Sequence, residues 1–238
     1  MTNKKHVYCF DLDGTLLDHG LAVRNAVEDI RKHFTCFVES DSDEFFQAWN
    51  RVSEKYMDLY LDKKLSFTEQ REARVREIFN SYGQKITAWQ ATSCFDLFLS
   101  RYEANWCLFD DVQEVLGVLQ RDFVLGMITN GDAEQQRKKF ERFELEKYFN
   151  HLVISGKFGI SKPNKEIFEH FATLAETAPE QCVYIGDKKE TDAVAASEAG
   201  FVGVWLNRKS AEQSTRVRTI HSLSELLQSK GLLHQTVR

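Results

Sequence analysis

Two carboxylates two residues apart, Asp11 and Asp13, follow a short apolar run and precede Gly14 and Thr15. Residues spaced by two on a strand face the same way, so this pair crowds like charges that need a cation or a shared proton. Gly14 permits the sharp turn that a ligand-facing strand end requires. By itself a D-x-D carries little, because Asp and Gly are common in turns; a second one, Asp41-Ser42-Asp43, reads as helix capping. Three further segments offer compatible groups. Thr129-Asn130-Gly131 supplies a hydroxyl and freed backbone N–H groups just before a helix expected from Asp132, whose positive end would attract an anion. Lys162 precedes Pro163 between a strand and a helix start, and Gly186-Asp187 closes another strand with Asp192 five residues later. Singly these read as a capped helix, a solvated lysine and an acidic turn. Four such strand ends in one chain point instead to chemistry on an anionic group.

The elements that must position these residues follow from the hydrophobic pattern. Short runs rich in Val, Ile, Phe and Tyr predict strands at His6–Asp11, Phe123–Thr129, Leu152–Ser155, Cys182–Gly186, Phe201–Leu206 and Val217–Ile220. Several are apolar throughout, as in parallel strands covered on both faces. Helices are expected between them, over Asp111–Gln120, Asp132–Phe143, from Pro163 as a first-turn residue, over Thr191–Ala199 to a stop at Gly200, and after a capping box of Ser222 with Glu225. Alternation of this kind gives an α/β fold with a doubly wound, mainly parallel, Rossmann-like sheet. Ligands in such sheets bind beyond the carboxyl ends of the strands, where the candidate residues fall.

A simple crossover needs a dozen residues or more, yet roughly a hundred separate the first two strands. That stretch predicts helices over Leu21–His33, Ser42–Leu61, Ser66–Tyr82 and Thr87–Tyr102, with a capping box of Ser66 and Glu69. The two prolines, Pro163 and Pro179, lie elsewhere, so none breaks it. The expected division is a core of 1–18 and 104–238 with an inserted all-helical cap of 19–103. The cap aromatics Trp49, Tyr56, Tyr60, Phe67, Tyr82 and Trp89 read as bundle core rather than substrate contacts. His19, just past the first segment, reads as a solvated hinge residue.

With 238 residues the chain can bury a sizeable core unaided. The net charge of −5 without a Lys/Arg block argues against nucleic-acid polymers and acidic membranes as partners. No apolar run is long enough to span a bilayer, and the N-terminus lacks a signal-peptide core, so a cytoplasmic address is expected. Cys9, Cys36, Cys94, Cys107 and Cys182 are odd in number and scattered, without a C-x-x-C pair, and read as reduced thiols. No sequence feature specifies the oligomeric state.

The four segments together resemble the haloacid dehalogenase superfamily. Asp11-Leu12-Asp13-Gly14-Thr15 is similar to its first motif, Thr129 to its second, Lys162-Pro163 to its third and Gly186-Asp187 with Asp192 to its fourth, and the helical insertion resembles the first-type cap. Lys188 departs from the pattern, since many relatives carry a small hydroxyl residue there. The resemblance implies a Mg2+-dependent phosphatase of small phosphorylated metabolites: a nucleotide, flavin mononucleotide or sugar phosphate. On this reading Asp11 is the nucleophile that becomes an aspartyl-phosphate, and Asp13 is the general acid and base. Asp11, the Asp13 carbonyl and Asp187 hold the metal. Leu12, Thr129, Asn130 and Lys162 contact the phosphoryl group. Asp192 orients Lys162 or a metal-bound water, or caps its helix. Asp13 disfavours the carbon-directed dehalogenase chemistry, whose members lack that acid. A sugar phosphomutase of the β-phosphoglucomutase type uses both aspartates as well, and a non-catalytic binding protein on this fold is the third reading.

Overall fold

The computed structural model describes residues 6–228. In chain order the elements are β1 (Val7–Phe10), α1 (His19–His33), α2 (Ser42–Leu61), α3 (Phe67–Ser81), α4 (Ala88–Ala104), α5 (Val112–Leu119), β2 (Val124–Thr129), α6 (Ala133–Arg142), β3 (His151–Ile154), α7 (Ser155–Phe158), α8 (Lys165–Leu174), β4 (Cys182–Gly186), α9 (Ala195–Glu198), β5 (Val202–Leu206), β6 (Arg218–Ile220) and α10 (Glu225–Gln228). The chain separates into two compact units, one of 1–18 with 108–238 and one of 19–107. The second crossing thus falls a few residues after 103, because α4 runs on to Ala104 and is closed by the N–H of Asn105 on Arg101 and Tyr102 carbonyls.

In the first unit six strands form one sheet in the order β3-β2-β1-β4-β5-β6, and every pairing is parallel. β1 sits between β2 and β4, with Phe10 level with Met127 on one side and Ile185 on the other. Alternation along β1 sends Val7 and Cys9 to one face, where they join Ile128, Ile167, Phe168, Phe171, Cys182 and Tyr184 in a buried cluster. Phe10 goes to the other face, edge-on to Phe149, which in turn meets Phe140 of α6. Each such fully buried apolar side chain contributes about 1.5–3 kcal/mol. The α/β doubly wound sheet expected from the apolar runs is the architecture observed.

Three local expectations need correction. Pro163 lies outside α8, which starts at Lys165 behind Asn164. The helix expected from Thr191 begins earlier, as a π-helical turn over Lys189–Val194 continuing into α9. Glu225 does reach back to the N–H of Ser222, but the Ser222 hydroxyl donates to Asp111 instead of completing the capping box. Asp111 also takes the Leu223 N–H and both guanidinium NH2 groups of Arg208, a richer acceptor role that outcompetes the local cap.

In the second unit α1 packs on α4 and α2 on α3. The capping box expected at Ser66 is present, and the structure adds a second, at Thr87 with Gln90. Asp41 caps α2 as expected. Trp49 is buried against Phe98 and Phe45; Phe37 meets Phe45, Phe79 and Tyr82. Trp89 is not core: it is 76% exposed on the rim of an open groove of about 610 Å³, because it falls in the first turn of α4, ahead of the buried stripe that starts at Ala91. His19 is the first residue of α1 and its Nδ1 pairs with the Tyr102 hydroxyl at 2.8 Å, so it is anchored rather than merely solvated. Among the described residues no helix is long and apolar enough to cross a membrane.

Candidate active site

Parallel pairing in register brings the carboxyl ends of β1, β2 and β4 to one edge of the sheet. Asp11 follows Phe10, and its N–H donates to the Ile185 carbonyl at 2.9 Å, tying the strand end to β4. Gly14 turns with φ +86°, and a Cβ there would overlap the Asp187 carboxylate. Gly186 is needed for a second close approach: a Cβ would stand 2.5 Å from the side chain of Asp192. These two glycines let three carboxylates share one small volume.

Lys162 reaches into that volume from the loop before α8. Its Nζ donates to Asp11 Oδ1 at 2.7 Å, Asp192 Oδ1 at 2.6 Å and the Tyr184 hydroxyl at 2.7 Å, while the Tyr184 hydroxyl donates onward to the Ile128 carbonyl at 2.8 Å. Burial works against the ammonium, but the Asp11 and Asp192 charges outweigh it and hold Lys162 above the ordinary lysine range. Burial in turn pushes the Asp11 carboxyl up to about 6, against the pull of Lys162. Thr15, fully buried, points its hydroxyl at Asp11 Oδ2 at 3.5 Å.

Carboxylate oxygens of Asp11, Asp187 and Asp192 all lie within 4.8 Å of one another. Asp187 Oδ1 is enclosed and has no hydrogen-bond partner among the described residues, and burial together with the Asp11 and Asp192 charges raises its carboxyl to about 8. A partnerless, buried oxygen beside two other acids fits a hard divalent cation, which takes oxygen ligands and removes the repulsion.

The remaining candidates separate. Thr129 ends β2, 1% exposed. Asn130 does not extend its amide to the open site: Nδ2 donates to the Lys162 carbonyl and Oδ1 accepts the Lys162 N–H, both at 2.9 Å. Only its backbone can serve a ligand, and the same holds for Leu12, whose side chain is fully buried. The start of α6 is less open to an anion than expected, since Asp132 caps Gln135 with its own carboxylate and the Gly131 N–H is bound by Ser155 Oγ. Asp192 contacts Lys162, and its Oδ2 accepts the Lys188 N–H at 3.0 Å, so it both orients the lysine and closes the π-helical turn. The side chain of Lys188 is exposed. Asp13 is gripped by Lys139, whose Nζ lies 2.8 and 2.7 Å from its two carboxylate oxygens.

The haloacid dehalogenase-like hydrolase family matches residues 5–200. The chain belongs to that family. Among curated haloacid dehalogenase relatives it is 29% identical to N-acylneuraminate-9-phosphatase of Mus musculus, over 94% of this chain and 92% of that protein. It is 26% identical to the pyrimidine 5′-nucleotidase YjjG of Escherichia coli (strain K12), over 92% and 96%. The HAD-hydrolase YfnB of Bacillus subtilis, solved bound to magnesium, superposes with a TM-score of 0.77 at 21% identity, over 95% of this chain and 98% of that one.

Sequence reasoning misses Tyr184, Gln136 and Lys139. Tyr184 reads as one more apolar strand residue. Gln136 and Lys139 read as part of the charged face of α6, although both sit on the same stripe as Phe140 at i, i+3, i+4 spacing, and that spacing is the available signal.

Proposed function

We propose that this haloacid dehalogenase-like hydrolase is a Mg2+-dependent phosphatase of small phosphate monoesters, with Asp11 as nucleophile. The observation that carries the reading is the buried Asp11 carboxylate, held on Lys162 and grouped with Asp187 and Asp192. Asp11, Asp187 and the backbone carbonyl of Asp13 would hold the Mg2+. Bound there, it would offset the charge that otherwise keeps an anionic nucleophile and an anionic phosphate apart.

An Asp11 oxygen attacks phosphorus as the bond to the leaving oxygen breaks, and the resulting aspartyl-phosphate divides one hard displacement into two easier ones. Asp13 gives its proton to the departing alkoxide and takes one back from the water that opens the intermediate. Thr129, through its hydroxyl, and the backbone N–H groups of Leu12 and Asn130 bind the phosphoryl oxygens. Lys162 offsets the negative charge there. All three of its donors already have protein acceptors, so it meets a phosphoryl oxygen by exchanging its bond to Asp11. Asp192 and Tyr184 keep the ammonium aimed while that exchange happens.

The substrate class is a phosphorylated metabolite such as a nucleotide, flavin mononucleotide or sugar phosphate; the activities named for the relatives support the nucleotide and the sugar phosphate. Those activities are hydrolytic, which favours net phosphate release over isomerisation by a phosphomutase. The five free cysteines support a reducing, cytoplasmic setting.

Phosphate release from p-nitrophenyl phosphate and a panel of metabolite phosphates tests the reading, with Mg2+ and with a chelator present. Wild-type protein should turn over only with the metal. Asp11→Asn should lose at least about a thousandfold in kcat while keeping its circular dichroism and melting temperature. Near-normal turnover in Asp11→Asn would remove the nucleophile, and with it the proposal.

A further inference from the structure

The buried stripe of α6 carries two polar side chains where an amphipathic helix ordinarily places apolar ones. Gln136 is 2% exposed and Lys139 1%, beside Phe140. A buried ammonium is costly unless its partner is well placed, and here the partner is a residue of the active site. Besides both oxygens of Asp13, Lys139 Nζ donates to Gln136 Oε1 at 2.8 Å. An ammonium has donors only, so this contact fixes which end of the Gln136 amide is the oxygen. Nε2 therefore faces the site, 3.0 Å from Asp13 Oδ2, 2.6 Å from Thr129 Oγ1 and 3.2 Å from the Asn130 carbonyl.

Two consequences follow for side chains that could otherwise rotate. The Asp13 carboxylate is held through both its oxygens. Thr129 Oγ1 accepts from Gln136, so its own proton must point elsewhere; the Asn130 carbonyl at 3.5 Å is beyond the ordinary O–H···O range. One rigid helix thus sets the acid, from the turn after β1, and the hydroxyl, from the end of β2, in a fixed relation.

We infer that Lys139 and Gln136 are positioning residues: they hold Asp13 at the angle for proton transfer with the leaving oxygen and hold the Thr129 hydroxyl as a donor to a phosphoryl oxygen. The role rests on the reading of Asp13 as general acid and base. The proton moves as already described, from Asp13 to the alkoxide and back to Asp13 from water; Lys139 and Gln136 exchange none.

Leaving-group dependence of kcat/KM tests it, because nitrophenolate departs without a proton and an alkoxide does not. The comparison uses Mg2+-loaded wild-type protein, Lys139→Met, Lys139→Arg and Asp13→Asn, with p-nitrophenyl phosphate and a glycerol phosphate as substrates. In Lys139→Met the alkyl ester should lose about tenfold or more beyond the loss on the aryl ester, a fraction of the range for general acid catalysis. Lys139→Arg should recover part of that difference. Equal losses on both esters in Lys139→Met, alongside a selective loss in Asp13→Asn, would overturn the positioning role alone. No selectivity in Asp13→Asn would overturn the acid–base reading and the positioning role with it. If Lys139→Met does not fold, Gln136→Met takes its place: an extra loss on the alkyl ester supports the role, and equal losses on both esters overturn it. Gln136→Met should also weaken inhibition by orthophosphate several-fold, and unchanged inhibition would remove Thr129 from the inference.

Discussion

At the scale of single residues, the site is a balance between carboxylates that burial would protonate and the few cations placed to prevent it. Lys162 serves Asp11 and Asp192 directly, but Asp187 has an enclosed oxygen without a hydrogen-bond partner among the described residues. Its carboxyl is raised from 3.8 to about 8 by burial, Asp11 and Asp192. A raised acid means that the folded chain binds a proton the unfolded chain has released. The folded state is therefore penalised increasingly as pH climbs from the unfolded value to about 8, above which the penalty levels off. A divalent cation on these carboxylates would remove that penalty. The thermal shift between Mg2+ and chelator should accordingly be small near about pH 5 and widen by about pH 8; differential scanning fluorimetry reads it, and a shift that narrows as pH rises would contradict this account.

At the scale of elements, hydrogen bonds at helix starts decide much of the local outcome. Thr87 accepts the Gln90 N–H at 3.2 Å, and the Gln90 side chain accepts the Thr87 N–H at 2.9 Å. Thr87→Ala should cost about 0.5–2 kcal/mol, measured as a lower urea midpoint at unchanged slope, with turnover of p-nitrophenyl phosphate within about twofold of wild type because the residue lies outside the unit that carries the candidate site. The strands and the long helices were legible because apolar runs and periodic stripes report burial directly. So was the grouping of Asp11, Asp187 and Lys162: the two acids follow strand ends, and the lysine stands in the loop ahead of α8. What stayed hidden depends on partners distant in sequence. Ser222 left its local cap for Asp111, Asn130 turned its amide to the Lys162 backbone, and Lys139 is buried with Asp13 and Gln136 as acceptors. A lysine in a helical stripe reads as solvent-facing until its counter-ion is located.

At the scale of the whole molecule, all three carboxylates of the candidate cation site, Asp11, Asp187 and Asp192, come from the unit built of 1–18 and 108–238. Binding energy that reaches only one unit should protect that unit. Hydrogen exchange on adding Mg2+ should slow at amides near Asp11–Thr15 and Gly186–Asp192, while the buried amides of α2 and α3 keep their rates; equal slowing in both would show that the two units open together.

The placement of β1 between β2 and β4 has an outcome during synthesis. The strand that leads into Asp11 is made before every other strand of its sheet, yet its neighbour Cys182–Gly186 follows only after β2 and β3. Until then β1 has an unsatisfied side, the kind of exposed edge that templates association between nascent chains. A chain halted before residue 182 would keep Asp11 and lose Asp187 and Asp192 together, leaving an unpaired β1 edge beside an incomplete acidic cluster.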